Sequence, residues 1–202
     1  MKLSLAVAVA LVFCASSAFG AELVINGGFD DQLNIQASSA TITASAGNAG
    51  LWQQAATWGY SALGGNPDGA MTGTSGGNDA MTQIFAMPAD GTAMTFSFDF
   101  KTDSTMWVDA FYMAEGQSFD SSWNTPPDHT GFSELQLEST NGVWVNSGLL
   151  SMTADAGYDY VGITLWSGNN TFVDNVSVTA VPEPATMSVL ALGALGLLRR
   201  RR

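Results

Sequence analysis

Between Met94 and Lys101 apolar and polar residues alternate without a break: Met94, Phe96, Phe98 and Phe100 against Thr95, Ser97, Asp99 and Lys101. A period of two sends the first set to one side of an extended chain and the second to the other. This stretch therefore predicts a β-strand with one face in a core and one in water. Met106, Val108, Ala110 and Tyr112 repeat the pattern. Shorter strand candidates lie at Glu22–Ile25, Thr41–Ala44, Ala80–Met87, Ser133–Glu138, Val143–Val145, Leu149–Thr153, Tyr158–Trp166 and Phe172–Val178. Between them stand Gly-, Asn- and Asp-rich breaks, including Asn26-Gly27-Gly28, Gly64–Gly69, Gly73–Asn78 and Pro88–Gly91. Pro88–Gly91 reads as the turn of a connected antiparallel pair, and Asn141-Gly142 as a hairpin turn. Residues 117–131 read as a long loop. With no helical stripe inside the domain and no internal repeat, the fold class expected is all-β, a two-sheet antiparallel sandwich.

The two ends carry different information. Lys2, an apolar core from Leu3 to Phe13, and small residues at Ala18 and Gly20 make a secretory signal peptide over 1–20, with cleavage that leaves Ala21 or Glu22 as the new start. Cys14 leaves with it, since bulky Phe13 does not suit a lipoprotein site, and the exported part has no cysteine for disulfides, thiolate catalysis or metal binding. At the other end Pro182-Glu183-Pro184 precedes an apolar run, Ala185–Leu198, and then Arg199, Arg200, Arg201 and Arg202. As a helix that run would be about 21 Å long, short of a hydrocarbon core of roughly 30 Å, so the arginines would have to snorkel to the cytoplasmic interface. Their position orients the tail inside and the rest of the chain outside. The pattern over 181–202 resembles the PEP-CTERM sorting signal, a segment also called the ice-binding-protein C-terminal domain, a label that is no evidence of ice binding. The resemblance implies export, transient inner-membrane anchoring by a short transmembrane-like helix, and cleavage near Pro-Glu-Pro by an exosortase-type peptidase.

What remains, residues 21–180, is one domain's worth of chain. Outside the two signals Lys101 is the sole basic residue, against 17 acids, a net charge of −16. Such a domain repels nucleic acid, excluding it as a partner, and attracts cations. In the last strand candidate Phe172, Val176 and Val178 share one side, and period two puts Asp174 on that same apolar side. A carboxylate there needs a partner, and with one basic side chain in the domain the partners available are a cation or backbone amides.

Leu23–Asp30, Met81–Ile84, Thr95–Phe98, Tyr158–Val161 and Phe172–Val178, taken in this order, resemble the galactose-binding-like jelly rolls of carbohydrate-binding modules. The resemblance implies a structural calcium ion where the first and last strands meet, with Asp30 and Asp174 among its ligands. It also implies sugar stacking on exposed aromatic rings, for which Trp123, Trp52, Trp58, Tyr60 and Trp166 are candidates. Trp123, in a long loop with prolines, is the foremost of them.

Catalytic signatures are not found. His129 stands alone in a loop, no pair of carboxylates is marked for glycoside hydrolysis, and no phosphate loop, dinucleotide fingerprint or zinc motif occurs. The sequence thus leads to an exported, non-catalytic protein of the cell surface or matrix that associates with exopolysaccharide. The alternatives are a structural or adhesive surface protein with no sugar site, and a polysaccharide hydrolase or lyase.

Overall fold

The alternation that dominates the sequence is realised in full: from Ala93 to Lys101 every second residue, Met94 through Phe100, is buried. The computed structural model describes residues 20–30, 35–36, 41–54, 58–73, 80–120 and 132–181. The signal peptide up to Phe19, the sorting segment from Pro182 onward, Trp123 and His129 lie outside the described residues.

Within them the chain forms strands β1 (Ala21–Glu22), β2 (Ile35–Gln36), β3 (Thr41–Thr43), β4 (Trp52–Gln54), β5 (Trp58–Ser61), β6 (Ala70–Gly73), β7 (Ala80–Ala86) and β8 (Ala93–Lys101). There follow β9 (Met106–Met113), β10 (Ser118–Asp120), β11 (Phe132–Leu137), β12 (Val145–Asn146), β13 (Leu150–Thr153), β14 (Tyr160–Trp166) and β15 (Thr171–Val181). One sheet has the order β12-β8-β15-β6-β5, with β1 also on β15 and β13 also on β8. The other has the order β11-β9-β14-β7-β4-β2 and is antiparallel except where β2 meets β4. β10 pairs with β3 as a separate ribbon, so part of the expected 117–131 loop is a strand. The two sheets bury one apolar cluster between them, in which Phe96, Phe98, Val173 and Val178 from the first pack with Trp52, Val108, Ile163 and Leu165 from the second. This is the all-β, two-sheet sandwich that the patterning implies, in the jelly-roll form that the resemblance implies.

Two turns join partners other than those expected. The chain leaves β7 in the six-stranded sheet and enters β8 in the seven-stranded one, so Pro88–Gly91 passes from one sheet to the other at the surface rather than closing a hairpin. Asn141 and Gly142 both have positive φ (53° and 74°), as a tight reverse turn requires, and Val143 N donates to Thr140 O at 3.2 Å. Yet the strands on either side, β11 and β12, also lie in different sheets. The tightness of a turn is local chemistry; the sheet that each strand joins is decided by where its apolar face finds cover.

The last strand departs from a period of two. Phe172 lies on the outer face, with Lys101 Nζ 4.2 Å from its ring centroid, and Val173 points into the core. Between Asp174 and Ser177 the register with β8 shifts, and Asn175 takes a left-handed φ of 50°. After this bulge Val176 and Val178 face inward. The extra residue reverses the parity, so Asp174 stands on the outer face in register with Asp99 and not on the apolar side with Val176 and Val178.

Candidate functional site

Asp174 is buried on that outer face all the same, 2% exposed. Asn66 N reaches across to donate to its Oδ2 at 2.6 Å, and Asn175 N donates to its Oδ1 at 2.6 Å. Asn175 Nδ2 donates to Asn66 O (2.8 Å) and to Asp99 Oδ2 (3.0 Å), while Asn146 Nδ2 donates to Asp99 Oδ1 (2.8 Å). Of the two kinds of partner open to Asp174, backbone amides are present. Burial above all, then the charges of Asp99 and Asp30, push its carboxyl upward against the two N–H groups that hold it down. Asp30, exposed, follows Phe29, which is fully buried against Trp52 with ring centroids 5.1 Å apart. Among the described residues no group of three or more His, Cys, Asp or Glu could hold a metal ion.

The aromatic candidates separate into two kinds. Trp52 is fully buried, and its Nε1 donates to Ile25 O (3.1 Å) and Asn26 O (3.2 Å). Trp58 is a core residue at 4% exposure, and Tyr60 packs on the same cluster. Pairing with β7 turns Trp52 inward and pairing with β6 turns Trp58 inward, so neither offers a face to a ligand, while Tyr60 is partly buried. Trp166 is different. It ends β14 on the outer face of the six-stranded sheet, half-buried, with its Nε1 donating to Asp109 Oδ2 at 2.6 Å.

Directly opposite Trp166 on β9 is Trp107, 39% exposed. Sequence reasoning passed over Trp107, though the signal was available. It occupies a wet position of the Met106–Tyr112 alternation, where a large aromatic ring has no core to fill. Gln136 of β11, exposed, is the next residue along this row.

Behind that row runs a second, Asp109, Thr164, Thr82 and Gln53, one residue from each of β9, β14, β7 and β4, in mutual register. All four are buried, and the Thr82 and Thr164 hydroxyls lie 2.7 Å apart. Nε2 of Gln53 is buried with no hydrogen-bond partner among the described residues. Beyond it the face turns apolar: Ile84, Phe111, Met113 and Tyr160 are buried beneath Ile42 and Ala44, which the β3/β10 ribbon carries. At that end Tyr160 donates to Glu115 Oε2 at 2.5 Å, and this bond, with burial and the charges of Glu115 and Asp159, pushes the phenol up to about 12. The outer face is thus graded, covered and apolar at one end, polar in the middle, and open and aromatic at Trp107 and Trp166.

Residues 180–202 match the PEP-CTERM protein-sorting motif. The chain accordingly carries a signal for export and sorting to the cell surface, with processing by an exosortase. No curated protein sequence matches the chain. Among solved structures it is similar to the enzymatically active domain of tailspike protein 4 of bacteriophage CBA120, with 11% identity and a TM-score of 0.49, covering 79% of this chain and 21% of that one. The chain thus spans about a fifth of the tailspike's length. It is also similar to a CBM4 structure (20% identity, TM-score 0.48, covering 78% of this chain and 99% of that one) and to the CBM35 of Paenibacillus barcinonensis (15%, 0.42, 70% and 99%).

Proposed function

We propose that this is a non-catalytic surface protein that associates with exopolysaccharide through the outer face of its six-stranded sheet. The observation that carries the reading is the cross-strand pair Trp107 and Trp166 beside Asp109. Two indoles in direct register on a strand pair stand about 5 Å apart at Cβ, which suits the apolar faces of successive sugar rings. Asp109, which holds the Trp166 indole, and the buried row behind it set the rings from beneath, while Gln136, exposed opposite Trp107, supplies an amide beside them. Apolar platforms edged by a few fixed polar groups are what saccharide recognition requires. Hydrolysis of a glycosidic bond needs two opposed carboxyl groups, and in this row Asp109 is the one carboxylate among the described residues.

The test is a glycan array with the purified protein, Trp107→Ala, Trp166→Ala and Trp144→Ala. Trp144 lies by Lys101 on the other sheet, 5.0 Å from its Nζ. The first two variants are expected to lose retention at least tenfold and the third to keep it. Equal loss in all three would defeat the assignment of this face, and release of reducing sugar would make the protein a hydrolase or lyase.

A second reading, adhesion without sugar, draws on the edge of the seven-stranded sheet, where Val143, Val145 and Leu149 are exposed. Calcium forms part of the proposal at Asp30 and Asp174. The support is a corner where the raised carboxyl of Asp174 meets the charges of Asp99 and Asp30, and where each Asp174 oxygen, taken by one N–H, keeps a lone pair. Bound there, calcium would supply the missing positive charge, with carbonyl oxygens and water completing its shell.

A further inference from the structure

Trp166 and Asp109 do not face each other directly. In the pairing of β14 with β9, Trp166 stands opposite Trp107 and Thr164 opposite Asp109, so the indole and the carboxylate that holds it are diagonal neighbours on one face of the sheet. Such positions lie about 7–8 Å apart, within reach of an aromatic side chain only if it tilts. Strand side chains ordinarily stand roughly perpendicular to the sheet. The 2.6 Å bond from Trp166 Nε1 to Asp109 Oδ2 therefore draws the indole down across the gap between the strands. A ring that leans in this way turns a face to solvent, where an upright ring turns an edge. Asp109 itself is 2% exposed, beneath the ring and out of reach of a ligand, and an N–H to carboxylate bond is roughly twice as strong as a neutral one. Trp107 is held less firmly: it is 39% exposed, and its indole has no hydrogen-bond partner among the described residues.

We infer that Asp109 is a positioning residue that makes Trp166 the preset platform of this face, an inference that rests on the face binding saccharide. Asp109 touches no sugar and acts only through the indole N–H, while Trp107 settles when ligand arrives. The two rings thus contribute unequally. A side chain that is free before binding loses rotamer freedom on association, which weakens binding by about three- to tenfold relative to one already fixed. Trp107 incurs that loss in the native protein; Trp166 is spared it for as long as Asp109 holds the ring.

Two measurements on the full chain in mild detergent test this. The first, without ligand, is hydrogen exchange of the indole N–H groups by NMR, with the Trp166 and Trp107 signals identified by their loss in Trp166→Ala and Trp107→Ala. The Trp166 proton is expected to exchange at least tenfold more slowly than that of Trp107, and to lose this protection in Asp109→Leu. The second is affinity electrophoresis in gels of β-glucan, xylan, galactan and dextran. On a gel that retains the native protein, Asp109→Leu is expected to weaken retention about three- to tenfold, less than Trp166→Ala does, and Asp109→Asn, whose amide oxygen can still accept from the indole, to stay within twofold. Added to Trp166→Ala, Asp109→Leu should change retention less than twofold further, since the group through which it acts is gone. Trp166→Phe removes the same bond from the other side, leaves the other contacts of Asp109 in place, and should weaken retention at least threefold even if Asp109→Leu does not fold. Equal exchange of the two indole protons, native retention in Asp109→Leu or Trp166→Phe, or an undiminished effect of Asp109→Leu in the Trp166→Ala background would overturn the positioning role and leave the binding face standing. Retention of the native protein on no gel would overturn the face itself.

Discussion

Replacing Trp52 by alanine tests whether the division between core and surface indoles is right. Trp52 is fully buried, packed at a tilt against Phe29, and bonded through Nε1 to the carbonyls of Ile25 and Asn26. A buried Trp→Ala substitution costs about 3–5 kcal/mol in lost transfer energy and cavity formation. The lost hydrogen bond adds about 0.5–1.5 kcal/mol and no more, because both carbonyls keep other donors. Ile25 O still accepts from Gln83 Nε2 at 2.9 Å, and Asn26 O from Phe29 N at 3.3 Å. The total, about 4–6 kcal/mol, is comparable with the whole stability of many single domains. With a urea m-value of about 2 kcal/mol/M, the unfolding midpoint should fall by roughly 2–3 M. Trp107→Ala, made on the outer face, should move it by less than about 0.5 M. Urea titrations followed by far-UV circular dichroism measure both. A Trp52→Ala midpoint within about 0.5 M of the native value, or a Trp107→Ala midpoint displaced as far as that of Trp52→Ala, would refute the division on which the binding face depends.

A Cβ on Gly162 would lie 2.5 Å from Phe111 Cζ and 3.1 Å from Ile84 Cγ2, whereas Gly59 has nothing within 4 Å. Gly162→Ala should therefore cost about 1–3 kcal/mol, lowering Tm by roughly 3–10 °C, and Gly59→Ala less than about 1 kcal/mol, a contrast that calorimetry resolves. The raised carboxyl of Asp174 means that the folded state holds this proton more tightly than the unfolded one. Its contribution to stability is largest below the unfolded value near 4 and is lost as pH rises through the folded value. Calcium should offset that loss, raising Tm at pH 7 and much less near pH 4; an unchanged melt on exchanging calcium for a chelator at pH 7 would remove the ion from this corner.

Period-two patterning was legible wherever a strand ran regularly between two neighbours. β8 shows it in the burial of Met94, Phe96, Phe98 and Phe100, and the same rule applied to β9 would have found Trp107. It failed at Asp174 because a bulge at Asn175 changes the parity, and Asn in a left-handed conformation cannot be told in sequence from Asn in a strand. Trp52 and Trp58 misled for another reason. Their strands are short, and whether a ring faces the core in three or four residues depends on pairings with β7 and β6 that sit many residues away. The C-terminal motif was plain because sorting machinery reads it as contiguous chain.

Ala21 lies across from Ala180 on β15, so the sandwich begins and ends at one corner. Glu22 fastens that corner, its carboxylate accepting from Val24 N, Val178 N and the Ser177 hydroxyl. A pull on the C-terminus enters the molecule along β15, the longest strand, which is bonded to β8 over most of its length. Load applied between that end and the Trp107/Trp166 face would strain these bonds together, in shear, and not one at a time. Mechanical resistance is thus concentrated in the strand that leads into the sorting motif, while the N-terminal pair, two residues long, would peel first and leave the core intact.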